Sequence, residues 1–392
     1  MSVLRVGMVG LGLVSTAHWK GYDSHPRAEV VAVCDLDIDR ARRFAECYGI
    51  DEVYADYDEM LHHARLDVVD IATPTFLHAP MARKALEAGS HVHCEKPFCR
   101  SVGEGQELVE MARTRGLQLL VGETYVFISA HQRARQLIEE GAIGAPRQIR
   151  QRHGDWIERD PPRIDTGPTD RSWRVDARAS GGGAYPWIFD HAVHFFATAE
   201  YFALGDPIAE IYAVRAESAA ASPRSGARHD PYAQAPIDIP IITWQHRSGS
   251  CQGVWMRSER LNGQYDFYRG FSTTISGEKG LIEVLGEGGG QLQWAGKPAH
   301  LVLHRAGRPS EAFRFDEGGD DVWDSEIAYY SKGHVAQIHH LLDSIHAGAQ
   351  VRYGAAEGTQ AVRCTLAAIR SVERGTPVRV DDIEDSYTAY EG

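Results

Sequence analysis

Three groups of residues in this chain have the types and spacing to do chemistry: Gly10-Leu-Gly12 with Asp35, Glu95-Lys96-Pro97, and Asp190 with His194. In the first, Gly10 allows a tight turn and Gly12 lets a backbone approach a pyrophosphate. Leu13 and Val14 then open a helix whose N-terminal N–H groups would face that anion. The third glycine of the usual fingerprint is Ser15 here. A strand over 30–34 ends at Asp35, 23 residues after Gly12. A carboxylate there accepts hydrogen bonds from an adenine ribose and repels a 2′-phosphate, which favours NAD over NADP. A glycine turn that binds nothing would also fit the first motif by itself.

The segment Ser90-His-Val-His-Cys-Glu95-Lys96-Pro97 looks like a strand running into a loop. Ligands of a doubly wound sheet bind beyond the carboxyl ends of its strands, so Glu95 and Lys96 would enter the cofactor crevice. Pro97 restricts Lys96 to an extended or turned backbone and is a candidate for a cis bond. A surface lysine paired with Glu95 accounts for the spacing equally well. Asp190 and His194 stand four apart in an apolar segment that should be a helix starting near Pro186. They therefore share one helix face, where an imidazole can take a hydroxyl proton while a carboxylate orients it. A hydrogen-bonded core histidine is the plainer alternative. Zinc is disfavoured, because His191 lies nearby but no third ligand has suitable spacing.

Other residues rank lower. Thr73, Pro74 and His78 end a strand and are placed to touch the nicotinamide half of a cofactor, although turn formation explains Pro74 too. Glu123 and Tyr125 should line the crevice. Trp156, Arg163, Trp173 and Arg174 lie in an irregular stretch, where aromatic faces and guanidinium forks suit a polyhydroxylated ligand. A tryptophan anchoring a loop would read the same way.

These residues must be positioned by two different kinds of architecture. Up to about residue 125, strands at 4–9, 29–34, 67–72, 90–94 and 117–122 alternate with helices at 13–24, 38–48, 56–64, 78–88 and 103–115. Glycines 49, 89 and 116 stand just past three of those helices. The alternation predicts a parallel sheet covered by helices on both faces. Beyond it come a helix over 132–140 and a strand over 147–153. Turn-separated strands follow from 208 to 315, then helices over 333–347 and 355–374. That order predicts a second, α/β domain with a mostly antiparallel sheet. The expected division is 1–125 for dinucleotide binding and 126–392 for substrate binding and oligomerisation, with the last helices packing back on the first half. Residues 219–237 are the best candidate for a mobile loop.

At 392 residues the chain suits two domains, and 43% hydrophobic with 24% charged residues is ordinary for a globular enzyme. A net charge of −13 without a basic cluster argues against nucleic acid or anionic membrane as partners. No apolar run has signal-peptide or membrane-span length, so a cytoplasmic location is expected. The six cysteines contain no C-x-x-C pair, which favours free thiols over disulfides or zinc.

Together the motifs resemble the glucose–fructose oxidoreductase / inositol dehydrogenase / rhizopine-catabolism (Gfo/Idh/MocA) family. The likeness runs through IATPTFLH (71–78), HVHCEKPF (91–98), EEGAIGAPRQI (139–149), SGGGAYPWIFDHAVH (180–194) and FSTTISGEKGLIEV (271–284). It implies an N-terminal Rossmann domain, a C-terminal α/β domain with a large open sheet used in oligomer contacts, and a homodimer or homotetramer. It also implies Lys96, Asp190 and His194 as the catalytic group, with Asp190 orienting His194 or Lys96. The activity implied is NAD(P)-dependent hydride transfer at a secondary alcohol or lactol of a sugar, sugar derivative or cyclitol. Two alternatives share the scaffold: NAD-dependent glycoside cleavage through transient oxidation, and a non-catalytic cofactor-binding sensor. The sequence departs from the family at Ala192, where glycine is common, and in the ETYVF that follows Gly122, which puts substrate detail in doubt.

Overall fold

A computed structural model describes residues 3–153, 172–217, 238–257, 272–286, 293–315 and 328–391. The expected loop at 219–237 lies outside the described residues, as do Trp156 and Arg163.

The first half alternates strictly. It runs β1 (Leu4–Val9), α1 (Ser15–Asp23), β2 (Ala28–Cys34), α2 (Ile38–Tyr48), β3 (Glu52–Tyr54) and α3 (Tyr57–His63). It continues through β4 (Val68–Ile71), α4 (Thr75–Glu87), β5 (His91–Glu95), α5 (Val102–Arg115) and β6 (Leu119–Gly122). The six strands form one parallel sheet in the order β3-β2-β1-β4-β5-β6. Helices on both faces bury the strands, which is why β4 and β6 are apolar along nearly their whole length. Side-chain caps start the helices: Asp37, Asp56 and Ser101 accept the backbone N–H groups of Arg40, Glu59 and Glu104. Gly49 and Gly116, both left-handed, stop α2 and α5 as expected. β3 is not expected from the sequence, because a three-residue, half-buried edge strand is too short to show alternation.

A short 3-10 turn (Thr124–Phe127) leads into the second half. There α6 (Ser129–Glu139), β7 (Pro146–His153), α7 (Ala177–Ser180) and α8 (Pro186–Phe202) precede β8 (Ile208–Glu217), β9 (Asp238–His246) and β10 (Gln252–Arg257). After β11 (Ser272–Gly277) and β12 (Gly280–Leu285), the pair β13 (Gln293–Trp294) and β14 (Lys297–Pro298) forms its own ribbon. Then come β15 (Leu301–Arg305), β16 (Glu311–Phe313), α9 (Ala328–Ala347), α10 (Ala355–Arg374) and β17 (Val378–Arg379). The large sheet has nine strands, in the order β16-β15-β12-β11-β7-β10-β9-β8-β17. All its pairings are antiparallel except β7 with β10.

One face of that sheet packs on helices. Ala213, Ile242 and Trp255 are in register and buried there, and Phe195 stacks on Trp255 at 4.6 Å. The other face carries an exposed apolar row, with Val214 paired to Ile241 and Ile241 to Met256. The C-terminal helices lie against the first half. Gly21 of α1 allows Ile338 of α9 to approach, Gly105 of α5 faces Thr359 of α10, and Gly354 bridges to Leu120 of β6. Among the described residues, no helix is long and apolar enough to cross a membrane. Their cysteines are all free, and only Cys47 is exposed.

Candidate active site

The strand order reverses between β1 and β4, the place where a doubly wound sheet opens a crevice at its carboxyl ends. Gly10, at the end of β1, has φ +84°, and a Cβ there would lie 2.6 Å from the Ala72 carbonyl oxygen. Gly12 has the opposite surroundings: an added Cβ would meet no atom within 4 Å. The first glycine is thus required by the turn, and the second borders open space in front of α1. Leu13 and Val14, both half-buried, complete the turn. Asp35 sits beneath it. Its carboxylate accepts the Leu11 N–H at 2.9 Å, the Asp37 N–H at 2.9 Å and the Arg40 guanidinium at 3.0 Å. Next to it, Leu36 is 88% exposed, an apolar wall against which a flat base could lie. The turn, the helix end and the carboxylate fit a dinucleotide.

Thr73 and Pro74 follow β4 and are half-buried. His78, by contrast, is buried, with Nδ1 2.8 Å from the Pro97 carbonyl oxygen and Nε2 2.8 Å from that of Thr73. Its ring joins the loop after β4 to the loop after β5, so it bears on the crevice through both.

β5 ends in Glu95, and the Lys96–Pro97 peptide is cis. Lys96 Nζ donates to the Asp190 backbone carbonyl and to Asp190 Oδ1, each at 3.1 Å. The alternative of a surface lysine paired with Glu95 fails: the lysine side chain is 12% exposed, and the Glu95 carboxylate takes the Lys96 backbone N–H instead. Two of the three ammonium protons are committed to Asp190, which leaves one for a ligand.

Asp190 and His194 share a face of α8, which starts with Pro186 in its first turn and is buried on nearly every side. The Arg174 guanidinium donates to Asp190 Oδ2 at 2.6 Å. Burial opposes ionisation of Asp190, but Arg174 and then Lys96 hold its carboxyl well below the usual carboxylate range. Arg174 itself lies 4.9 Å over the Trp173 ring. Trp173 therefore reaches the site through Arg174.

His194 has a different carboxylate. Its Nδ1 lies 2.7 and 2.9 Å from the two oxygens of Glu123, a residue 1% exposed at the end of β6. Of the two partners expected for Asp190, His194 or Lys96, the structure pairs it with Lys96, and Glu123 holds His194. Spacing pointed to Asp190 because i, i+4 neighbours are visible in sequence, whereas Glu123 is 71 residues away. Tyr125 completes this side, with its ring 4.5 Å from that of His194. A carboxylate can only accept, so the Nδ1–H donates to Glu123, and the acceptor of the neutral ring is then Nε2. His191 stacks on Trp187 and points Nδ1 at its carbonyl oxygen. Burial first, then neighbouring cations such as Lys96, push its pKa down to about 3. Two groups of metal-capable side chains exist among the described residues, and neither contains Asp190, His191 or His194.

The arrangement therefore places a cation with a spare donor and an oriented base against the same helix, α8, at the carboxyl ends of the neighbouring strands β5 and β6. That pair can polarise and deprotonate an alcohol.

Family models match both halves of the chain. A family model described as "Oxidoreductase family, NAD-binding Rossmann fold" (GFO_IDH_MocA) matches residues 4–123. The "GFO/IDH/MocA C-terminal domain" model matches residues 131–283. The chain is 26% identical over 411 residues to a levoglucosan dehydrogenase of Pseudarthrobacter phenanthrenivorans, covering 98% of this chain and 100% of the relative. It is 24% identical over 386 residues to the myo-inositol 2-dehydrogenase of Thermotoga maritima, covering 97% and 99%. A structure of levoglucosan dehydrogenase in complex with NADH and levoglucosan superposes with a TM-score of 0.76 at 21% identity, covering 97% of this chain and 100% of that one.

Proposed function

The chain belongs to the Gfo/Idh/MocA family of NAD(P)-dependent oxidoreductases, and from that premise we propose that it moves a hydride between NAD and a secondary alcohol or lactol carbon of a sugar, sugar derivative or cyclitol. The observation that carries this reading is the pairing of Lys96 with Asp190 beside the Glu123–His194 dyad, at the carboxyl ends of β5 and β6. A relative acting on levoglucosan and another acting on myo-inositol support the substrate class. The division near residue 125 into a cofactor half and a substrate half is part of the proposal.

The nicotinamide cofactor, when bound, accepts the hydrogen that leaves carbon with its electron pair. His194 Nε2 takes the hydroxyl proton, and the charge formed on the imidazole is offset by Glu123. Lys96 directs its remaining N–H at the same oxygen as negative charge grows on it, and the C–O single bond becomes a carbonyl. Asp190, kept ionised by Arg174, fixes the direction of Lys96. Trp156, Arg163, Trp173 and Tyr125 are proposed to shape the substrate side. In the reductive direction the same groups act in reverse. An intact Lys96, Asp190 and His194 set speaks against a sensor. Release of a leaving group from glycosides without NADH build-up would favour the cleavage alternative.

The test is a screen of NAD+ and NADP+ reduction over monosaccharides, inositols, anhydrosugars and glycosides, with the parent and Asp35→Ala side by side. The parent should reduce NAD+ with at least one of these substrates. Removing Asp35 takes one charge from the 2′-phosphate position and one of the carboxylate partners from the Arg40 guanidinium, which keeps Asp37 at 3.5 Å. We expect the NADP+ to NAD+ ratio of kcat/KM to rise about 30- to 100-fold, the equivalent of 2–3 kcal/mol of relieved repulsion. A parent that prefers NADP+ would overturn the role given to Asp35, and no turnover across the whole panel would overturn the substrate class.

We also propose that the exposed row Val214, Ile241 and Met256 on the nine-stranded sheet meets a second copy of the chain, giving a homodimer or homotetramer. Light scattering should show an oligomer for the parent, and half its mass or less for Ile241→Lys with Met256→Lys. A monomeric parent at micromolar concentration would refute the assembly.

A further inference from the structure

Behind the proposed catalytic lysine lies a buried polar cluster that takes in the Glu95 side chain at the end of β5. Its centre is His18 of α1, with 0% exposure. Nδ1 of His18 is 3.0 Å from Asp70 Oδ1 on β4, and Nε2 is 3.2 Å from Glu95 Oε1 on β5. The second oxygen of Asp70 meets His93 Nδ1 at 2.9 Å, and the second oxygen of Glu95 accepts the Lys96 backbone N–H at 3.2 Å. From α9, the His334 ring lies tilted with its centre 5.1 Å from that of His18, and the Gln337 amide nitrogen lies 3.2 Å from His93 Nε2 and 3.1 Å from His334 Nδ1. Tyr22, one turn along α1 and fully buried, has its pKa pushed up by burial and then by the charge of Asp70.

Two carboxylates on one imidazole fix its protonation. A carboxylate oxygen offers only acceptors, so each ring nitrogen must carry a hydrogen to meet it. We propose that His18 is a positioning residue, doubly protonated at neutral pH, whose imidazolium ties Glu95 to Asp70 and so fixes the turn that presents Lys96. The linkage is continuous. Asp70 is anchored in the middle of the sheet, His18 bridges from it to Glu95, and Glu95 holds the backbone of the next residue, the lysine itself. Were His18 neutral, one nitrogen lone pair would face a buried carboxylate lone pair, and the Glu95 side chain would lose one of its two fixed partners.

The electrostatics agree with that geometry. Burial alone would lower the His18 pKa, but Asp70 and then Glu95 overcome it and push it up to about 10. Burial would raise Glu95, yet its hydrogen bond from His18 and the charge of His18 bring it down to about 2. His334 is pushed down to about 3, first by burial and then by the charge on His18. A folded-state pKa above the ordinary 6.5 means that the clamp stabilises the fold fully below pH 6.5. That share is lost as pH rises through about 10. The thermal stability difference between the parent and His18→Gln should shrink across that window.

The kinetic arm of the test rests on the role proposed for Lys96; the structural arm does not. Neutron diffraction from deuterated crystals of the NAD-bound protein near pD 8 should show a deuteron on both His18 nitrogens. In solution, His18→Gln should lower kcat about 10²-fold, as expected for a misdirected catalytic group, while the Kd for NADH measured by fluorescence changes less than threefold. The double variant with Glu95→Gln should lose no more than the worse single variant, because both break the same link. A bare nitrogen, a metal ion in place of a deuteron, or multiplicative losses in the double variant would overturn the inference. The two readings fail separately. A harmless Lys96→Ala removes the reaction assigned to Lys96 but leaves the clamp visible in the neutron map, whereas a singly protonated His18 leaves the role of Lys96 standing. If His18→Gln does not fold, the neutron map of the parent still decides the matter.

Discussion

Lys96→Ala is expected to lower kcat by about 10²- to 10³-fold, the range found when one donor aimed at a developing oxyanion is removed. The loss should fall on kcat rather than on KM, because the ammonium's spare proton matters most when the alcohol oxygen carries charge. Its surroundings allow the variant to keep its fold. Lys96 is half-buried, and Asp190, which loses one cation, keeps Arg174 at 2.6 Å. Lys96→Arg should rescue poorly, since a planar fork cannot keep both 3.1 Å contacts to Asp190 and also point a donor along the lysine's third direction. NADH binding followed by fluorescence separates the explanations: an unchanged Kd with a collapsed kcat locates the defect in the chemical step. Lys96→Ala with kcat within threefold of the parent would remove the lysine from the mechanism altogether.

Much of this site was legible in the sequence because its parts are local. Gly10, Gly12 and Asp35 follow a spacing set by one strand–helix–strand unit, and the Lys96 turn ends a strand whose apolar run stands out. The fold was legible for the same reason, since strands buried on both faces and glycine stops at 49 and 116 are short-range signals. What stayed hidden was pairing across the chain. Glu123 and His194 are 71 positions apart and His18 and Glu95 are 77 apart, and both pairs are set by the order of strands in the sheet and by where α8 and α1 cross it. The i, i+4 rule pointed to Asp190 as the partner of His194. The rule holds for a lone helix surface, but here α8 is buried, and both side chains turn to charges brought by other elements. Arg40 escaped notice for a similar reason. On sequence it is one more basic residue in a polar helix, and only the cap at Asp37 brings its guanidinium back onto Asp35.

The second large effect should come from Glu123, the residue that spacing did not single out. Replacing it by glutamine keeps the size and one acceptor, yet places an amide that can donate to His194 Nδ1. That choice would move the ring proton to Nε2, the nitrogen that must accept from the alcohol. A base in the wrong tautomer is nearly as disabled as one that is missing. His194→Asn should lower kcat about 10²- to 10⁴-fold, and Glu123→Gln should approach that loss with little change in KM. The double variant should be no worse than His194→Asn alone, because a carboxylate that works only through the imidazole has nothing left to orient. Asp190→Asn makes the contrast. It should weaken the hold on Lys96, so its effect should vanish in a Lys96→Ala background and persist in a Glu123→Gln one. Circular dichroism on each variant checks the fold, as Glu123 also caps the 3-10 turn through the Tyr125 N–H at 3.2 Å. If Glu123→Gln keeps kcat within threefold of the parent, or if its loss multiplies with that of His194→Asn, the dyad is structural and another group must receive the proton.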